Sequence, residues 1–234
     1  RKVDQAHSIW WKRTADGTRP DPFTILGING NDIERMDTKP DGSLSPTGDK
    51  FTTRIPGMLR KGGINDEGSF GYLKALEKNG NFPHIVWPEH CLIGTQGHLV
   101  WPNLMAAMLD WADENFKQVN YVTKGSNPHT EHYGSLQAEV IDKRDPTTLM
   151  NARFVKVIQE ADIILLAGEA RSHCLATSVA QIASNFGTPE LMDKLYLLED
   201  CTSDVPGFES YGKSFVDEYS QKGMHLVKSS TFML

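Results

Sequence analysis

From Ser69 onward, short apolar runs alternate with amphipathic stretches, and few architectures tolerate that rhythm. The runs His84–Trp87, Val119–Val122, Asp162–Ala167, Lys194–Leu198 and His225–Val227 predict buried strands. Ser69–Lys78, Leu104–Phe116, Thr147–Glu160, Cys174–Asn185 and Phe208–Gln221 predict helices. Parallel neighbours need a crossover of about a dozen residues or more, and a helix of this length supplies it. The expectation is therefore an α/β fold: a doubly wound, mostly parallel sheet with helices on both faces. Such sheets place their ligand crevice at the carboxyl ends of the strands. Chemistry is to be sought just after Trp87, Val122 and Ala167.

The stretch from Thr14 to Gly63 reads differently. Asp16-Gly17, Pro20-Asp21-Pro22 and Pro40-Asp41-Gly42 punctuate it as turns, because Gly supplies positive φ and Pro fixes φ. Phe23–Leu26 and Phe51–Ile55 are short β-type patches able to pair with each other, but the apolar content is thin for a core. The expectation is a loop-rich insertion over 14–63 within one domain spanning 1–234, serving as a lid or an interface.

Charge excludes some functions. Lys plus Arg number 24 against 30 Asp plus Glu, a net charge of −6 with no strong basic run, which argues against nucleic acid. The longest apolar run, Ile163–Ala167, falls far short of the roughly 20 residues that span a bilayer. Cys91, Cys174 and Cys201 are three in number, with no C-x-x-C spacing, which predicts a reducing, cytoplasmic setting without a disulfide framework.

Three strand ends carry candidate chemistry. After Ala167 comes Gly168-Glu169-Ala170-Arg171-Ser172-His173-Cys174 and then a helix. That puts Cys174 near a helix N-terminus, where free N–H groups and the dipole favour a thiolate and could hold an oxyanion. A buried structural cysteine is the competing reading. His173 is adjacent in sequence, so its ring is expected to point away from the thiol. After Val122, Lys124 would face the crevice and hold a neighbouring thiolate or carboxylate by opposite charge, or else be a solvated loop lysine. After Trp87, His90 together with the distant His7 offers imidazole ligands for a divalent metal, against the reading of satisfied core histidines. His129 and His132 lie in a Gly/Ser/Pro loop and are expected at the surface, while Cys91 and Cys201 read as structural.

Taken in order, these stretches resemble the cysteine hydrolase superfamily of nicotinamidases and isochorismatases. The matches are Trp87-Pro88-Glu89-His90-Cys91 with Gly94-Thr95-x-Gly97, then Val122-Thr123-Lys124-Gly125, then Gly168 to Cys174 with Thr177, then Leu198 to Ser203. Ala6-His7 with Trp10-Trp11, followed by Gly17 and Pro22–Ile25, looks like a subgroup of larger nicotinamidase-like hydrolases with an insertion after the metal histidine. The resemblance implies an isochorismatase-like hydrolase fold and a Cys–Asp–Lys triad. Cys174 would attack the carboxamide of a small planar amide and release ammonia through a thioester, with Lys124 as the triad lysine. The N–H groups of Ala170 and Cys174 would form the oxyanion hole, with a cis peptide between Glu169 and Ala170. Trp87 and Tyr133 would line the substrate's ring, and His7 and His90 would ligate zinc, iron or manganese. A homo-oligomer is implied as well. The family's catalytic Asp and its D-x-H metal motif find no counterpart here and are expected upstream of Arg1; Asp4 does not replace them. Another small-molecule hydrolase of the superfamily with a vestigial metal site, or an inactive homologue, are the alternatives.

Overall fold

The structure is a computed structural model and describes residues 7–54, 68–80 and 82–233. Ala6, Asp4 and Ile55 of the sequence reading, and the end of the 14–63 stretch, lie outside the described residues. Among those described, no helix is long and apolar enough to cross a membrane. The chain forms two compact units, residues 1–131 with 139–145 and residues 132–138 with 146–234.

The first unit corrects the reading of 14–63. Where a loop-rich excursion was expected, the chain builds β1 (Trp11–Arg13), β2 (Ile25–Asn29), β3 (Asp32–Thr38) and β4 (Leu44–Thr53). With β5 (His84–Ile85) these form a five-stranded antiparallel sheet in the order β1-β4-β3-β2-β5. The two β-type patches do not pair with each other: β2 pairs with β3 and β5, and β4 with β1 and β3. Turn chemistry sets the registers. Asn29 pairs with Asp32 across the two-residue turn Gly30-Asn31, where Gly30 takes a φ of 60° that costs a Cβ-bearing residue energy. At the next turn Asp41 accepts from the Ser43 N–H at 2.9 Å and its hydroxyl at 2.6 Å.

Few apolar residues suffice for a core because they share one face. Trp11, Leu26, Ile33 and Phe51 pack with Tyr72, Leu73 and Leu76 of α1 (Gly68–Asn79) and with Val86 and Val140. Each such side chain contributes about 1.5–3 kcal/mol when fully buried. The buried Glu34 carboxylate is satisfied from both sides, by Asn29 Nδ2 at 3.1 Å and the Gly48 N–H at 2.9 Å. Pro102 opens α2 (Pro102–Asn115), which buries no residue.

A second correction concerns Val119–Val122. The segment is not a strand, because among the described residues no strand pairs with it, and Tyr121 and Val122 are 60% and 36% exposed. An isolated β-type run has no ladder to satisfy its backbone.

The second unit contains the parallel sheet. β6 (Ile164–Leu166), β7 (Leu195–Leu198) and β8 (His225–Val227) lie side by side in that order, in register through Ile164–Leu195, Leu166–Leu197 and Leu198–Val227. The crossovers are α4 (Ala176–Phe186) and α6 (Glu209–Gln221). Val179 of α4 and Phe215 and Tyr219 of α6 close on Leu166, Leu195 and Leu197. Asn151 accepts from the Phe154 N–H at 3.0 Å, so α3 (Ala152–Glu160) starts five residues later than the periodicity predicts. Ile158 of α3 packs with Leu136, Ile182 and Leu191, the last on the short α5 (Pro189–Met192).

Candidate active site

In the second unit, β6 ends at Leu166 and the chain turns at Gly168, whose φ is 105°. The peptide between Glu169 and Ala170 is cis. Arg171–Leu175 then winds a tight turn that runs into α4, and Cys174 sits in it, half-buried. The Ala170 carbonyl accepts the N–H groups of both His173 and Leu175 at 3.1 Å, and Ser178 Oγ caps the Cys174 carbonyl at 2.7 Å. The sulfur is thus presented at the carboxyl end of a parallel strand, on the turn that starts a helix. Oriented N–H groups and the positive end of a helix at such a placement favour a thiolate.

His173 is buried among aromatic side chains. Its ring packs against Tyr133, Phe208 and Tyr211 at centroid distances of 5.9, 5.0 and 5.8 Å, and Ser172 Oγ lies 2.9 Å from its Nδ1. Tyr133 is buried there, on the segment 132–138. That segment is held by side chains of α4, Ser178 Oγ accepting the Ser135 N–H at 3.0 Å. Gln181 Oε1 accepts the Leu136 and Gln137 N–H groups at 3.1 and 3.4 Å, and its Nε2 donates to the Gln137 carbonyl at 3.0 Å. A Cβ on Gly134 would collide with that amide.

The turn is also strapped by the segment that leaves β7, through partners the sequence did not reveal. Arg171 forks onto the buried carboxylate of Asp204, and Ser203 bonds Glu169. Asp204 holds the Arg171 guanidinium further above its ordinary value. No spacing rule links residues 33 apart; only the parallel β6–β7 pairing makes them neighbours.

In the first unit, His7 and Trp87 form an isolated parallel bridge. This brings the His7 and His90 rings to a centroid distance of 5.4 Å, tilted by 38°. His90 Nδ1 lies 2.7 Å from the Pro88 carbonyl, which only accepts, so Nδ1 carries the proton and Nε2 keeps its lone pair. Two candidate ligands are therefore together. Among the described residues, however, no group of three or more His, Cys, Asp or Glu side chains converges. Zinc ordinarily takes three or four protein donors, so this donor set is incomplete. Trp87 is buried, its ring meeting Phe23 edge-on at 5.6 Å. Lys124 is half-buried on the stretch after Val122, before Gly125 with its φ of 70°.

The H-x-x-H pair departs from expectation. His132 is buried and His129 half-buried, with its N–H on Asn127 Oδ1 at 2.7 Å, and burial pushes the His129 imidazole below its ordinary value. Packing of the 126–134 loop, not polarity of its residues, decides this. Cys91 is exposed at a φ of 50°, while Cys201 is half-buried.

No protein-family model matches the chain, and no curated protein sequence does. Solved structures do. The yeast nicotinamidase Pnc1p bound to nicotinaldehyde matches 97% of this chain and 75% of its own, at 13% identity and a TM-score of 0.52. Another structure of yeast Pnc1p matches at 17% identity and TM-score 0.45, over 63% of this chain and 61% of its own. PnC1 of L. infantum in complex with nicotinate matches at 18% and 0.44, over 63% of each chain. The chain therefore spans less than two thirds of the latter two. The first of these likenesses shows that the chain has the α/β fold seen in that nicotinamidase structure.

Proposed function

We propose that this protein is a nicotinamidase-like amidohydrolase acting on a small planar carboxamide. The observation that carries the reading is the placement of Cys174: a half-buried thiol on the tight turn between a parallel strand's carboxyl end and a helix, in this fold. In the proposed reaction, Sγ attacks the carboxamide carbon. The carbonyl oxygen becomes an oxyanion at the N–H groups of Ala170 and Cys174. As the tetrahedral intermediate collapses, the C–N bond breaks and the thiol's proton leaves with the nitrogen as ammonia. Water then attacks the thioester, releasing the carboxylic acid and restoring the thiol. The resemblance to nicotinamidases would make Lys124 the cation that steadies the thiolate, and Trp87 and Tyr133 the walls for the substrate's ring. The protein is taken as cytoplasmic and homo-oligomeric.

A divalent ion would, where bound, polarise the substrate's ring nitrogen, with His7 and His90 as two of its ligands. Two imidazoles among the described residues do not complete such a site, so no step is routed through an ion. A second reading is a hydrolase of another amide or ureido compound whose metal site is vestigial.

The test is ammonia release from nicotinamide, followed by a coupled assay. Turnover by the wild type and its loss in Cys174→Ala, with the native circular dichroism retained, is the expected result. Turnover that survives Cys174→Ala refutes the nucleophile. Absence of turnover on nicotinamide, with turnover on a ureido substrate, establishes the second reading.

A further inference from the structure

The nucleophile turn is strapped along almost its whole length by a segment more than thirty positions away. The Gly168 N–H donates to the Cys201 carbonyl at 2.9 Å, and the Arg171 N–H to the Ser203 carbonyl at 2.8 Å. Thr202 Oγ1 donates to the Gly168 carbonyl at 2.6 Å. The Ser203 N–H and hydroxyl donate to Glu169 Oε2 at 3.2 and 2.9 Å, and the Val205 N–H to Ser172 Oγ at 3.0 Å. One link carries opposite charges. Arg171 Nε donates to Asp204 Oδ1 at 3.0 Å while Nη2 donates to Oδ2.

That link is more confined than a surface ion pair. The Asp204 side chain is 6% exposed and that of Arg171 25%. Behind the carboxylate stands Gly212 of α6, where a Cβ would overlap it, so the carboxylate is seated directly on helix backbone. A forked Arg–carboxylate pair adds directional restraint as well as energy.

The geometry points from this pair to the sulfur through a single peptide plane. In the Ala170–Arg171 peptide, the N–H is held by Ser203 and the carbonyl accepts from His173 and Leu175 on either side of Cys174. We propose that Arg171 and Asp204 are a positioning pair for the nucleophile. By anchoring the Arg171 side chain against α6, they fix the plane of that peptide and hence the placement of the Cys174 backbone and sulfur. The proposal deepens the hydrolase reading and rests on it for the reaction, while its geometric content stands without a substrate.

The experiment is alkylation of Cys174 by iodoacetamide near pH 7, read by mass spectrometry on the Cys174 peptide so that Cys91 and Cys201 do not contribute. The variants are Arg171→Met, Asp204→Asn and the exchange Arg171→Asp with Asp204→Arg. An ion pair acts on a nearby thiol by charge or by geometry, and the two are separable. Removing the cation and removing the anion shift the thiolate in opposite directions if charge is what matters. If position matters, both slow alkylation, by about 10-fold, because the turn's N–H groups lose their alignment on the sulfur. The exchange of partners then recovers most of the rate. With nicotinamide, kcat falls about 100-fold while KM stays within about threefold, the pattern of a misplaced reacting group.

Opposite-signed changes, or wild-type rates in variants with native near-ultraviolet spectra, overturn the proposal. Should Arg171→Met not fold, Arg171→Lys keeps the cation, loses the fork and is expected to slow alkylation to an intermediate degree; an unchanged rate there also overturns it. A wild type that releases no ammonia overturns the hydrolase reading alone, and the alkylation comparison still decides the role of the pair.

Discussion

Removing the Gln181 amide should release the Tyr133-bearing segment, and the cost is calculable from its bonds. In Gln181→Ala, the N–H groups of Leu136 and Gln137 and the Gln137 carbonyl all lose their partner. Leu136 is buried and Gln137 half-buried. An orphaned buried group costs about 1–3 kcal/mol, so a loss of about 3 kcal/mol is expected, mostly from Leu136. Gly134→Ala is costly for a different reason: its new Cβ meets an amide that three hydrogen bonds hold in place. Overpacking of this kind costs about 1–3 kcal/mol. The two costs are linked by space. Once Gln181 is alanine, the obstacle is gone, and Gly134→Ala should cost under about 1 kcal/mol, leaving a coupling of about 1–2 kcal/mol. Urea unfolding of the wild type, both single variants and the double variant measures all four corners. At a slope near 2 kcal/mol per molar, the Gln181→Ala midpoint should fall by about 1.5 M. Additivity within about 0.5 kcal/mol would refute the steric argument. A Gln181→Ala loss below about 1 kcal/mol would refute the hydrogen-bond argument.

Two further outcomes are expected. The Asp142 carboxyl is held below its ordinary value of 3.8, chiefly by the Arg144 guanidinium, so its stabilisation is present above that value and lost as pH falls through the lower folded one. Asp142→Asn should therefore flatten the acid limb of the urea midpoint against pH, and an unchanged limb would dismiss the linkage. Because His7 and His90 are the two candidate donors that meet among the described residues, overnight dialysis against metal-free buffer should leave well under one equivalent of zinc, iron or manganese. A stoichiometric ion that disappears in His90→Ala would show that further donors complete the site.

What the sequence made legible was whatever is fixed locally. The parallel strands could be read because Ile164–Leu166 and Leu195–Leu198 are nearly continuous apolar runs, even though Leu165 is left exposed. The turn that carries Cys174 could be placed between β6 and α4 because its residues are contiguous. The antiparallel sheet was hidden for the opposite reason. β4 is mostly exposed over Leu44–Asp49 and buries only Phe51 and Thr53 at its end, so its composition resembles a loop. Val119–Val122 has the residues of a strand without a partner, and propensity alone does not supply one. The histidines at 129 and 132 were misjudged from polar neighbours, when burial depends on what packs over the loop. Asp204 was invisible because its meaning arises only from tertiary pairing with Arg171.

The antiparallel sheet also bears on the order in which the chain acquires structure. β2, β3 and β4 are joined by short turns, so their pairing closes only small loops, whereas the β6–β7 pairing waits for α4 and α5 to form and dock between them. Near-neighbour contacts are made fast and distant ones slowly. Pulse-labelled amide exchange during refolding should accordingly protect Ile25–Thr38 before Leu195–Leu198, so that Cys174, on the turn after β6, acquires its setting only late.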